Sequence, residues 1–168
     1  MKLTIALAFG ALLAAQAQAP PSAAATLKGA YTRIKTNFIK AAEKMPEENY
    51  NYKPVDVLET FGQRVAHIAD PQLSTCSGMT GERKMGTAKT KTSKADLVAA
   101  LKESFDACDK AFDALTDANA MEAVAAGRGQ QVRIATLYGL VVHANEVYGA
   151  MGVYMRLKAI VPPSSEAR

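Results

Sequence analysis

Apolar residues recur three and four positions apart through most of this chain, and nowhere do they alternate. Leu27, Ala30, Tyr31, Ile34, Phe38, Ala41, Ala42 and Met45 form one stripe. Phe61, Val65, Ile68, Ala69, Leu73 and Cys76 form a second, and Leu97, Leu101, Phe105, Cys108, Phe112 and Leu115 a third. A helical repeat gathers such positions on one face, whereas a half-buried strand needs a two-residue repeat. The pattern therefore predicts an all-α chain without strands. Pro46 stops the first helix, which starts at Thr26. Thr60 is placed to N-cap a second helix from Phe61 to about Ser77, and Pro71 inside it predicts a kink because proline lacks the N–H. Ser93 opens the third helix with Asp96 where a capping box has Glu. A fourth runs from about Gln131 to Ile160, roughly 40 Å at 1.5 Å per residue, until Pro162 and Pro163. Residues 78–93, with three glycines and several cations, read as an exposed crossover, and Thr116 to Gly129 as a weaker stretch. Four helices with one long crossover make a four-helix bundle.

Apolar residues at 49% and charged residues at 21% are ordinary for a globular domain, and 168 residues suit one domain. The net charge of +4 is spread out, without a basic run, which gives no footprint for nucleic acid. Lys2, the uncharged stretch Leu3 to Ala15 and the small-residue phrase Ala15-Gln16-Ala17 describe a secretory signal peptide over residues 1–17, with Ala19 as a second cleavage position. A flexible leader over 18–25 and a bundle domain over 26–168 follow. The chain is then exported, periplasmic or secreted from a bacterium, with no membrane segment after cleavage. Export leaves two readings of Cys76 and Cys108, a disulfide or two buried thiols. The cations Lys84, Lys89, Lys91 and Lys94 read as a solvated loop, with an acidic partner as the sharper alternative. Gly127-Arg128-Gly129 follows no expected strand and is weak as a phosphate motif.

The chain has two histidines. His67 stands mid-way along the second helix and His143 mid-way along the fourth, each near a buried face. Helices of a bundle can oppose such side chains, and neutral imidazoles ligate divalent metals. His143-Ala144-Asn145-Glu146-Val147-Tyr148-Gly149, then Val153-Tyr154-Met155-Arg156-Leu157 and Ile160-Val161-Pro162-Pro163-Ser164, resemble the end of the exported branch of the DinB-like (DinB/YfiT) metalloenzyme family. Phe61-Gly62-Gln63 and Val65-Ala66-His67-Ile68-Ala69-Asp70 resemble that family's second-helix phrase, and Met45-Pro46-Glu47-Glu48-Asn49-Tyr50 fits as well. The resemblance implies a four-helix bundle, often a homodimer, with a divalent metal such as Zn or Ni held by three histidines. Two of those positions match His67 and His143. The third falls at position 147, one turn after His143, where this chain has Val147.

Valine has no lone pair, so the implied metal site has two ligands and an apolar wall, whereas catalytic zinc normally keeps three protein ligands. Glu146 and Asp70 are the candidate substitutes, Asp70 alternatively as a partner orienting the His67 ring or as a cap at the Pro71 kink. Tyr148, Tyr154 and Arg156 match family positions and suit bracing roles. Three functions follow. The first is a degenerate, weakly metal-binding or non-catalytic protein that takes a small molecule or a partner between the second and fourth helices. The second is a metal-dependent transferase or hydrolase, similar to the family's thiol transferases, using His67 and His143 with Glu146 or water. The third is a structural homodimer. No catalytic residue is assigned.

Overall fold

The computed structural model describes residues 19–126 and 129–166. The expected signal peptide and two residues of the Gly127-Arg128-Gly129 phrase lie outside the described residues. Four long helices form the molecule: α1 (Ala23–Lys44), α2 (Phe61–Met79), α3 (Lys94–Asp113) and α4 (Arg133–Leu157). The helix α1 packs on α3 and α4, and α2 packs on the same two from the opposite corner. Pairs of contacting residues give the directions. Tyr31 stacks on Phe112 while Phe38 meets Phe105, so α1 and α3 are antiparallel. Gln72 and Cys76 of α2 meet Ser104 and Cys108 of α3, so those two run parallel. A parallel pair needs a connection that returns the full length of the bundle, which is what residues 80–93 do.

Each helix begins where local chemistry permits. Thr60 and Gln63 form a complete capping box at α2, with Thr60 Oγ1 accepting from Gln63 N and Gln63 Oε1 accepting from Thr60 N. Ser93 Oγ accepts from Asp96 N at 3.1 Å, but the Asp96 carboxylate takes the Ser93 hydroxyl and leaves the cap N–H alone. The helix α1 starts earlier than its stripe predicts. Ser22 caps it, Ala24 is buried, and Ala24 N donates to Asp117 Oδ1 at 3.0 Å, so Ala23–Ala25 are its first turn and no part of a leader. Asp117 is held below the ordinary carboxylate range by hydrogen bonds from the Ser22 hydroxyl and the Ala24 N–H.

The expectation of a chain without strands fails. Two short strands, β1 (Ala123–Ala126) and β2 (Gly129–Val132), form an antiparallel ribbon that pairs Ala123 with Val132 and Ala126 with Gly129. Its four-residue strands have no alternation to detect. The ribbon is fastened to the start of α4 by Arg133 N donating to Glu122 O and Ile134 N donating to Ala120 O.

The core is one contiguous cluster in which Phe38, Phe61, Phe105, Leu101, Met151 and Met155 are fully enclosed. Each such side chain contributes about 1.5–3 kcal/mol through burial. Tyr31 donates to Asp109 Oδ1 at 2.8 Å, and Gln72 Nε2 donates to Ser104 Oγ at 3.1 Å, so the polar groups among these rings are paired. Cys76 and Cys108 are joined as a disulfide between α2 and α3. Gly62 sits where α2 crosses the preceding loop. Its N–H donates to Tyr50 O at 2.8 Å, and a Cβ there would lie 3.1 Å from Leu97 Cδ1.

The fourth helix ends in a Schellman arrangement, Ile160 N donating to Met155 O at 2.9 Å. The residue in the left-handed conformation is Ala159, with φ of 57°. Left-handed backbone costs an L-residue roughly 1–2 kcal/mol. Ala159→Gly is therefore expected to stabilise the protein by about 1 kcal/mol, read as a higher urea midpoint with an unchanged slope.

Candidate functional site

The bundle brings His67 of α2 and His143 of α4 together. Their ring centroids are 5.1 Å apart and the planes tilt by 53°. Both side chains are 40% exposed, so the pair lies at the bundle surface between two helices rather than in its centre. Each ring has a carboxylate beside it. Glu59 Oε1 is 3.6 Å from His67 Nδ1, and Glu146 Oε2 is 3.7 Å from His143 Nδ1. An acid beside Nδ1 favours the tautomer that carries the proton there and leaves the Nε2 lone pair free to accept a hydrogen bond or ligate a metal.

Glu59 is held in place by its surroundings. Tyr154 Oη donates to the Glu59 main-chain oxygen at 2.8 Å, and Arg64 Nε donates to Tyr154 Oη at 3.0 Å. The Arg64 guanidinium also lies over the Tyr154 ring, 5.2 Å from its centroid, and 4.0 Å from Glu59 Oε2. The sequence reading passed over Glu59 and Arg64. Glu59 immediately precedes the Thr60 cap, a position with no helical register to relate it to His67, and contacts from Tyr154 and Arg64 hold it there. The neighbouring residues Tyr148 and Arg156 brace the C-terminal segment: Tyr148 Oη accepts from Ser164 N at 2.9 Å, and Arg156 Nη2 donates to Ser165 Oγ at 2.8 Å.

Val147 is 5% exposed and belongs to the core cluster. It offers an isopropyl group one turn from His143, where a third nitrogen donor would have to originate. Asp70 is not a partner of the histidine pair. Its two oxygens accept from Ala88 N at 2.7 Å and Lys89 N at 3.1 Å, which fastens the returning crossover to α2. Gly86 passes so close that a Cβ there would overlap the Asp70 carboxylate. That role replaces both the metal-ligand and the kink-capping readings of Asp70. The helix α2 continues through Pro71, which is exposed. Proline lacks an N–H, so the His67 carbonyl receives no hydrogen bond from residue 71. Among the described residues, no group of three or more His, Cys, Asp or Glu side chains is arranged to hold a metal ion. Two imidazoles with a carboxylate behind each do not match the three-ligand open site of a catalytic metal.

The cavity nearest the pair, about 450 Å³, does not lie between α2 and α4 as expected: it opens on the α3 side of α2, where Leu97 lines it, and shares only Glu59 with the surroundings of His67. Thr60, Gln63 and Ala66 line it from α2, and Lys89 and Lys91 from the crossover. Of the other crossover cations, Lys84 lies 3.8 Å from Glu103, and Lys94 Nζ donates to Glu43 O. No described helix is long and apolar enough to cross a membrane.

Comparison with known families settles the kinship of this bundle. The model of the DinB superfamily matches residues 30–146, well over half of the chain. The chain belongs to the DinB superfamily. No curated protein matches significantly. A solved DinB-like protein from Bacillus cereus ATCC 10987 is similar in fold, with a TM-score of 0.68 at 20% identity, covering 82% of this chain and 93% of that one. In this DinB protein the matched segment includes His67 and His143 and stops one residue short of Val147.

Proposed function

We propose that this DinB protein is an exported binding protein whose metal centre is degenerate: two imidazoles that hold a divalent ion weakly, beside a cavity that takes a small molecule. The observation that carries this reading is the close approach of His67 and His143 with Val147 buried at the third position. The cavity shares Glu59 with the His67 pairing and presents Lys89 and Lys91, which suits a small ligand with an anionic group. Export is supported by the basic, apolar, Ala-rich start of the sequence and by the Cys76–Cys108 bridge, which persists in an oxidising compartment.

A second reading, a metal-dependent transferase or hydrolase, draws on Glu146, which already stands beside His143 and could complete a three-donor set. Metal analysis of purified protein separates the two. The degenerate centre predicts well under one Zn or Ni per chain after dialysis, and titration affinities no tighter than micromolar. Near-stoichiometric metal that is lost in His67→Ala and in Glu146→Gln would overturn the degenerate centre and favour the enzyme reading.

A further inference from the structure

The cavity beside Glu59 carries charges of both signs over an apolar floor. Lys89 and Lys91 line it from the crossover and Glu59 from the loop before α2, while Tyr50, Ala66 and Leu97 supply apolar surface. Its volume of about 450 Å³ is that of a small-molecule site.

The backbone under the two lysines is fixed. Ala88 is fully buried, and Ala88 N and Lys89 N donate to the Asp70 carboxylate at 2.7 and 3.1 Å. Thr90 N donates to Thr87 O at 3.1 Å and Lys91 N to Ala88 O at 3.0 Å, which winds Ala88–Thr90 into one tight turn. The crossover therefore presents both lysines from a segment tied to α2. Among the described residues neither ammonium is paired with an acid, whereas Lys84 and Lys102 pair with Glu103 and Glu43.

The start of α2 adds no free donor. Phe61 N donates to Tyr52 O, Gly62 N to Tyr50 O and Gln63 N to Thr60 Oγ1, so its first-turn N–H groups are taken. Attraction for an anionic group comes from the lysines. Glu59 then narrows the class. Its nearest cation is Arg64, 4.0 Å away, and its side chain is 45% exposed, so the carboxylate can still accept hydrogen bonds. A bare dianion drawn to the lysines would meet a like charge at Glu59, and a bare cation drawn to Glu59 would meet the lysines. A molecule with an anion at one end and an ammonium at the other satisfies both, and an apolar side chain on it would cover the floor.

We infer that the cavity takes a zwitterion of the amino-acid or short-peptide class, with its carboxylate on Lys89 and Lys91, its ammonium on Glu59 and an apolar side chain against Leu97. The inference rests on the proposed function in taking this cavity as the ligand site, and adds the chemical class.

Calorimetric titration of the purified protein with L-alanyl-L-leucine, its N-acetyl form and its C-terminal amide tests it. The free dipeptide is expected to bind, and each capped form to bind at least about 10-fold more weakly, because each loses a hydrogen-bonded charge. Variants assign the two ends. Lys89→Gln combined with Lys91→Gln should abolish the preference for free acid over amide and keep the preference for free amine over acetyl. Glu59→Gln should do the reverse. The circular dichroism melt should move little in either variant, since none of these side chains belongs to the core. Capped forms that bind as tightly as the free dipeptide would overturn the inference and leave the cavity a small-molecule site, so the proposed function would survive. Preferences unchanged by the variants would place the peptide elsewhere and overturn the inference, as would absence of binding up to about 10 mM peptide. Metal titration of the same samples reports on the histidine pair separately.

Discussion

Opening the Cys76–Cys108 bridge is expected to lower the unfolding free energy by about 4 kcal/mol. The bridge spans 32 residues. Closing a loop of that length removes about 12 cal/mol/K of chain entropy from the unfolded state, or about 3.7 kcal/mol at 25 °C. The loop comprises the end of α2, the whole crossover and the first part of α3, and the crossover within it is anchored in the core by Ala88 alone. Both sulfurs are fully enclosed, so reduced thiols stay inside as small apolar groups and little hydration offsets the loss. Urea unfolding with and without reductant measures the difference, and the melting temperature should fall by roughly 10 °C for a domain of this size. A shift below 1 kcal/mol would mean that the unfolded crossover is already constrained. The double variant Cys76→Ala with Cys108→Ala should reproduce the reduced protein and lose slightly more, through the cavity left by two sulfurs.

The second large effect is a gain. Val147→His is expected to tighten Zn or Ni binding at least about 100-fold, by adding a third nitrogen donor to two imidazoles whose ring centroids are 5.1 Å apart. The metal-free variant should be less stable than wild type by about 1–3 kcal/mol, because an imidazole replaces an aliphatic group at a buried position without an assured partner. Metal should then restore that loss, since free ion at 100 times its dissociation constant adds about 2.7 kcal/mol. A melting temperature that falls on substitution and rises with metal in Val147→His, but scarcely responds to metal in wild type, is the expected signature. If the variant binds no tighter than wild type, position 147 is not aimed at the pair, and the degenerate-centre reading fails with it.

The helices and their pairing with the family were legible because the sequence carries three clean stripes, two working caps and a specific C-terminal phrase. Less could be read where a contact spans the chain. Ala23–Ala25 look like leader until Asp117, 93 residues away from Ala24, receives the Ala24 N–H. The β1–β2 ribbon has strands of alanine and glutamine that favour no pleated surface, and tertiary attachment to α4 decides their shape. His67 and His143 could be named from their mid-helix placement, whereas Glu59 required the Tyr154 bond. Asp70 was ambiguous because one residue type suits a ligand, an orienting acid and a cap equally; the returning backbone at Ala88 claims it. The outward apolar residues of α4, Tyr138, Val142, Val153 and Leu157, were illegible for a different reason: a helix apolar all round shows no preferred face, so its outer side is visible only once the inner side has been packed.

Pro71 has one more effect on the histidine pair. It removes the i to i−4 donor to the His67 carbonyl, so α2 lacks one rung of its ladder at the turn that carries the imidazole, and that turn bends at lower cost than the rest of the helix.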